Sequence, residues 1–243
     1  MKLRLDFAAS VPKDLSQGDL NEDAWAVSPD GTCFALSDGA SESYDSKRWS
    51  ELLVKKYASD SAFLPEWVRQ AVAEYDSAVE FLSLSWSQQM AYERGSYATL
   101  LALQLAENGE EAEVLAVGDS LAVHCRGGEI LMSYPFDLPE QFDERPQLLS
   151  TLRSGNDFLT EANWFHRSTC KTWSLTDGDI IYLMTDAVGQ WFLRALSASP
   201  SSLAALGEID SFDALVELVH RSRSEGVMKL DDSTILRLVV ENG

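Results

Sequence analysis

Four acidic clusters sit at the ends of apolar runs, and that arrangement limits the folds open to this chain. Asn21-Glu22-Asp23 precedes Ala24-Trp25-Ala26-Val27, and Asp38-Gly39 follows Cys33-Phe34-Ala35-Leu36-Ser37. Asp186 follows Ile180-Ile181-Tyr182-Leu183-Met184-Thr185, and Asp231-Asp232-Ser233-Thr234 precedes Ile235-Leu236-Arg237-Leu238-Val239-Val240. Short apolar runs bounded by turn residues read as strands. Carboxylates at strand ends converge wherever the strands share a sheet, and converging carboxylates repel unless a hard cation lies between them. The clusters predict a divalent-metal site on a β-rich core.

The chain has 243 residues, enough for one large domain with a sizeable core. A net charge of −20 argues against nucleic-acid backbone or an anionic membrane as partner, because both would repel it. Cys33, Cys125 and Cys170 lie in apolar or alternating stretches without CxxC spacing, which predicts reduced core cysteines in a reducing compartment. An acid at Asp6 comes too early for a signal peptide, and no apolar run approaches the roughly 18 residues of a membrane span. A soluble, cytoplasmic protein is expected.

Strands are expected at Lys2–Ala8, Ala24–Val27 and Thr32–Ser37. A helix follows with Trp49, Leu52, Leu53 and Tyr57 on one face, then a second from Pro65 to Trp86. Strands resume at Ser96–Leu105, Glu113–Val117, Leu121–Cys125 and, after Gly127-Gly128, Glu129–Tyr134. Pro135 to Arg167 reads as a long excursion from the sheet with a weak helical stretch at Gln147–Leu152. Strands Ser168–Leu175 and Ile180–Thr185, helices Val188–Leu196 and Phe212–Arg221 (capped by Asp210 or Ser211) and a strand Thr234–Val240 complete the chain. Hairpin-linked strands alternating with helices give an α+β class, with two sheets face to face, helices outside, and one domain over 1–243.

Magnesium and manganese take oxygen ligands in octahedral geometry, and a two-metal site needs one carboxylate that bridges both ions. Asp38 suits the bridge, because Gly39 lets the chain turn so that its carbonyl also faces a metal. Glu22 and Asp23 lie within reach of the first ion, and Asp186 and Asp231 of the second. His124, His166 and His220 read as core or surface residues, so no Ser-His or Cys-His nucleophile pairing stands out.

The order and wording of these clusters resemble the metal-dependent serine/threonine protein phosphatases of type 2C, and the sequence is identified as a divergent bacterial member. Asn21-Glu22-Asp23 resembles the N-terminal acidic motif, and Ser37-Asp38-Gly39 the Asp-Gly element. Gly95-Ser96-Tyr97-Ala98-Thr99 resembles the Gly-Ser-Thr-Ala strand start, and Val117-Gly118-Asp119-Ser120 the Gly-Asp-Ser motif. Thr185-Asp186-Ala187 and Asp231-Asp232-Ser233-Thr234 are similar to the Ser-Asp-Gly and Asp-Asn-x-Thr motifs. The resemblance implies a four-layer αββα sandwich of two antiparallel sheets holding two or three Mn²⁺ or Mg²⁺ ions. Asp38, Gly39, Glu22, Asp23, Asp186 and Asp231 would serve the main pair, and Asp119 with Asp186 a weaker third ion. It also implies hydrolysis of phosphoserine or phosphothreonine through a metal-activated water, dependent on Asp38, Asp186 and Asp231. The 135–167 excursion would be a substrate-contacting flap. Expected partners are a phosphorylated protein and a cognate kinase or that kinase's target.

Three positions depart from the family pattern. Gly18 stands where a phosphate-binding arginine is usual, leaving Lys13, Arg48 and Arg94 as substitutes. Ala40-Ser41-Glu42-Ser43 lacks the histidine found in some members, and Ala187 replaces a glycine. The rival expectation is a phosphatase-like binding module that recognises a protein partner. A calcium-binding structural domain fits poorly, since no loop offers five or six oxygens at alternate positions.

Overall fold

Alternation within the central strands decides the layering. The strand Cys33–Ser37 sends Phe34 and Leu36 into one core and Cys33 and Ala35 into another. Ile180–Met184 sends Ile181 and Leu183 into the core of Phe34, and Tyr182 and Met184 into a third. Successive side chains of a strand point to opposite faces, so strands buried on both faces need a layer on each side. Phe34 and Leu36 are 1% and 0% exposed, and each contributes roughly 1.5–3 kcal/mol relative to an exposed side chain.

The computed structural model describes residues 1–160, 170–199 and 202–243. One antiparallel sheet has the order β1 (Lys2–Val11), β12 (Ser233–Glu241), β11 (Ile180–Met184), β7 (Leu121–Arg126), β8 (Glu129–Tyr134). The other runs β10 (Cys170–Ser174), β6 (Glu111–Val117), β5 (Leu100–Leu105), β3 (Cys33–Ser37), β2 (Ala24–Val27). Helices α1 (Ser46–Ser59) and α2 (Pro65–Ser77) cover the second sheet with Trp49, Leu53, Trp67 and Tyr75. A short α3 (Trp86–Glu93) follows. Helices α4 (Asp186–Ala198), α5 (Ser202–Gly207) and α6 (Phe212–Ser224) cover the first with Phe192, Leu206, Leu215 and Val219. This is the expected αββα sandwich. Among the described residues no helix is long and apolar enough to cross a membrane.

Several expected elements differ. The helix expected from Pro65 to Trp86 ends at Ser77, and Ser85 starts a new one by accepting from the Gln88 N–H in a capping box. Leu82 and Trp86 consequently lie outside the buried stripe, at 92% and 77% exposure. The strand expected over Ser96–Leu105 breaks at Thr99, and Tyr97–Ala98 (β4) pairs with Leu149–Ser150 (β9). Leu149–Ser150 is therefore extended where a helical stretch was expected, because a distant strand satisfies its backbone. Cys33 and Cys125 are buried, but Cys170 is exposed, since the near end of β10 shows its side chains to solvent. The capping choice falls to Ser211, which accepts from the Ala214 N–H. His166, Arg167 and the start of the strand expected from Ser168 lie outside the described residues.

Candidate active site

Strand register carries all four acidic clusters to one end of the sandwich. Ala24 at the start of β2 faces Ser37 at the end of β3. In the same sheet, Leu100 at the start of β5 faces Val117 at the end of β6. In the other sheet, Leu121 opens β7 opposite Met184, the last residue of β11. Met184 also faces Ile235 near the start of β12. The acids just outside those termini meet for that reason. Asp38, Gly39, Asp119, Asp186 and Asp231 line one cavity of about 280 Å³, together with Ala40, Ser41, Glu42 and Thr99.

Glu22 and Asp23 do not line that cavity. Asp23 is tucked beside it, where its Oδ2 accepts from Thr234 Oγ1 at 2.6 Å and Thr185 Oγ1 at 3.1 Å. Glu22 accepts from Lys13 Nζ at 2.9 Å and from the Ser41 and Ser46 hydroxyls. The expectation that Gly39 is needed for a turn also changes: an added Cβ would lie 2.9 Å from the Ser46 carbonyl oxygen and 3.0 Å from that of Glu22. Close backbone approach is what requires glycine there. Ala187 lies within α4, where helical φ accepts alanine without strain.

A set of residues that the motif reading treated only as context holds the acids in place. Asp232 is 3% exposed and accepts from the Lys13 N–H and the Glu22 N–H, each at 2.7 Å. It thereby ties the start of β12 to the N-terminal acidic segment. Thr99 Oγ1 accepts from the Asp38 N–H at 2.9 Å and contacts Ser120 Oγ at 2.9 Å. Thr185 Oγ1 accepts from the Thr234 N–H at 2.9 Å. Arg223 on α6 donates to the Asp231 carbonyl, to Ser233 Oγ at 3.1 Å and to the Pro12 carbonyl at 3.2 Å. The threonines and Asp232 stood inside the quoted motifs, whereas Arg223 had no local signal.

The electrostatics follow from crowding. Burial, helped by Asp232 and Asp231, pushes the Asp23 carboxyl up to about 7 against the hydrogen bonds from Thr234 and Thr185. Burial, then Asp23, Asp231 and Asp119, push Asp38 well above the ordinary carboxylate range. Asp119 is raised chiefly by burial, with Lys229 opposing. Burial would also raise Glu22, but Ser41, Ser46 and Lys13 outweigh it and hold that carboxyl low. Asp23 Oδ1 and Asp186 Oδ1 are buried and have no hydrogen-bond partner. An all-oxygen donor set with strained charges and orphaned oxygens suits a hard divalent ion. As the side chains stand, no three His, Cys, Asp or Glu among the described residues are arranged to hold one. Asp186 is instead paired with Lys229, whose ammonium also lies 3.9 Å from Asp231 Oδ2. Sequence reading missed Lys229, although it lies two residues before Asp231.

Asp23 gives the metal-free protein a pH dependence. Its folded value of about 7 exceeds the unfolded one of about 3.9, so between them the folded state binds more protons. Its contribution to stability is full below about pH 4 and falls as pH rises toward about 7. Chelator-treated protein should therefore resist urea better at pH 5.5 than at pH 7.5. Equal or greater resistance at pH 7.5 would contradict the crowding described above.

These features define a phosphatase-type sandwich with an acidic cavity where its two sheets end. A family model described as Protein phosphatase 2C matches residues 12–230, and the chain belongs to that family. Its fold is similar to that of the photosystem II phosphatase PBCP, at 18% identity and a TM-score of 0.62, over 98% of this chain and 99% of the other. The Mycobacterium tuberculosis serine/threonine phosphatase PstP/Ppp is similar at 20% identity and a TM-score of 0.60, over 100% of both chains. The PstP catalytic domain in complex with two manganese ions aligns at 18% identity and a TM-score of 0.57, over 99% of both. No curated protein matches the sequence.

Proposed function

We propose that this protein is a divalent-cation-dependent phosphatase acting on phosphoserine or phosphothreonine in a protein substrate. The observation that carries the reading is the single cavity lined by Asp38, Gly39, Asp119, Asp186 and Asp231 in a chain of the type 2C family. Asp38, Asp186 and Asp231, with the Gly39 carbonyl, would hold Mn²⁺ or Mg²⁺, Asp119 would serve a third ion, and Asp23 and Glu22 would support the first from beside the cavity. When bound, the ions supply an activated water and offset charge on the phosphoryl oxygens.

The chain's own residues set how substrate is received. Lys13 is committed to Glu22 and Ser41, and Arg48 to the Ala78 carbonyl and the Tyr75 ring. Arg94 is different: with Arg145 it lines a second cavity of about 490 Å³ that shares Ala40, Glu42, Pro146 and Leu148 with the acidic one. Both arginines are exposed on that cavity, and we assign them to the anionic substrate. Three free cysteines suit a reducing compartment, and we place the reaction in the cytoplasm.

The test is hydrolysis of an aryl phosphate by metal-stripped protein with Mn²⁺, Mg²⁺, Ca²⁺ or chelator, beside Asp186→Asn. Turnover should require Mn²⁺ or Mg²⁺ and fall by about 10²–10³-fold in the variant. Metal-independent turnover, or an Asp186→Asn protein as active as its parent, would refute the assignment. The second reading, a phosphatase-like module that binds a partner without hydrolysis, is favoured by Lys229 among the acids and by Gly18 in place of an arginine. No turnover with any cation would select it.

A further inference from the structure

Lys229 belongs to none of the motifs and to no step of the proposed chemistry, yet its ammonium reaches two of the acids that line the cavity. Its ammonium pairs directly with Asp186 and stands 3.9 Å from Asp231 Oδ2. It also counters the upward push on Asp38 and Asp119, so one lysine serves four acids. Asp186 Oδ1 is left without a partner, because one ammonium reaches only one of that carboxylate's oxygens.

The backbone on either side of Lys229 is pinned. Met228 is 5% exposed and its N–H donates to the Ser222 carbonyl at 3.1 Å. Arg223 holds the Asp231 carbonyl, and Asp232 binds the N–H groups of Lys13 and Glu22. The Lys229 side chain, by contrast, is 40% exposed. It can swing into solvent through its own rotamers while the acids stay where they are.

We infer that Lys229 is a tethered internal cation that competes with a divalent ion for Asp186 and Asp231. This rests on the proposed metal dependence and adds to it a residue that sets the affinity of one ion. Lys229 neutralises the site when no divalent ion is bound, and an ion reaches the pair only after the ammonium leaves. A ligand that needs a minor conformation binds more weakly by the fraction of molecules in that conformation. If the pair is closed in about nine molecules of ten, affinity falls about tenfold.

The test is calorimetric titration of Mn²⁺ into three metal-stripped proteins: the parent, Lys229→Met and Lys55→Met. Lys55 is an exposed lysine paired with Glu51 on α1, and its variant reports the general effect of losing one positive charge. Lys229→Met should bind at least one Mn²⁺ about tenfold more tightly than the other two. Its metal-free form should melt at lower temperature, and Mn²⁺ should raise its midpoint by more than in the parent. Equal affinity in all three, or the same gain in Lys55→Met, would overturn the competition; Mn²⁺-dependent turnover in the parent would then leave the phosphatase reading standing. No Mn²⁺ binding by any of them would remove both. Tighter binding by Lys229→Met with no turnover in any protein would support the competition and remove only the hydrolase reading.

Discussion

Asp38→Asn is expected to lower phosphoester turnover by about 10³-fold and, in the same protein, to raise the thermal midpoint of the metal-free form. The opposed signs come from one cause. Asp38 is crowded by burial and by Asp23, Asp231 and Asp119, so its carboxyl stays well above the ordinary range when no dication is present. Asparagine keeps the shape and removes the charge, which relieves repulsion in the folded state but takes away a carboxylate that the proposed metal site would use. The Asp38 N–H bond to Thr99 Oγ1 belongs to the backbone and is kept, so the strand end should not move. Two measurements decide it: Mn²⁺-supported turnover of an aryl phosphate, and melting in chelator at pH 8. Parental turnover would remove Asp38 from the reaction. A lower midpoint would show that its carboxylate supports the metal-free fold instead of straining it.

Asp179→Ala is expected to cost about 3–5 kcal/mol of stability, on the order of 10 °C in the melting midpoint, without a direct effect on the acidic cavity. Asp179 has a fully buried side chain in the turn before β11. It accepts from Arg126 Nε at 2.7 Å and Nη2 at 2.8 Å and from the Thr176 N–H at 2.8 Å, and it shares a 2.8 Å hydrogen bond with His124 Nε2. His124 is itself buried and stacks on Trp173 with centroids 5.4 Å apart, linking the two sheets. Removing the carboxylate leaves the buried imidazole without its partner. Arg126 is half exposed and loses less. Burial alone would raise the Asp179 carboxyl, but Arg126 and His124 hold it low, so its contribution is present above about pH 4 and disappears as pH falls through its folded value. Equilibrium urea unfolding of the variant at neutral pH measures the loss. A change below about 1 kcal/mol would mean that water replaces the network.

The order of strands and the positions of acids at their ends were readable because both are local. The unbroken apolar runs in Cys33–Ser37 and Ile180–Met184 mark strands buried on two faces, and that requirement leads to four layers. A carboxylate just beyond such a strand is placed by the strand itself, so Asp38, Asp186 and Asp231 could be named without coordinates, whereas Asp119 came only from the family resemblance. Local signals failed where a second segment competed for the same groups. The stripe after Pro65 looked continuous because periodicity does not register the Ser85–Gln88 cap that restarts the chain. Leu149–Ser150 is extended only because Tyr97–Ala98 is there to pair with it.

What a side chain does in and around the cavity was decided by the tertiary structure alone. Glu22 and Asp23 are adjacent in sequence, yet one faces Lys13, Ser41 and Ser46 and the other faces Thr185 and Thr234. Asp232 became the tie between the two ends of the chain because its two oxygens meet backbone N–H groups more than two hundred residues away. Lys229 reads in sequence as one lysine in a chain of net charge −20, and only packing sets its ammonium against Asp186. Sequence determined which groups the chain brings to the end of the sheets, because strand direction and periodicity are properties of neighbouring residues. Which group faces which depended on contacts between distant segments, and electrostatic interaction varies with a separation in space that no spacing along the chain encodes.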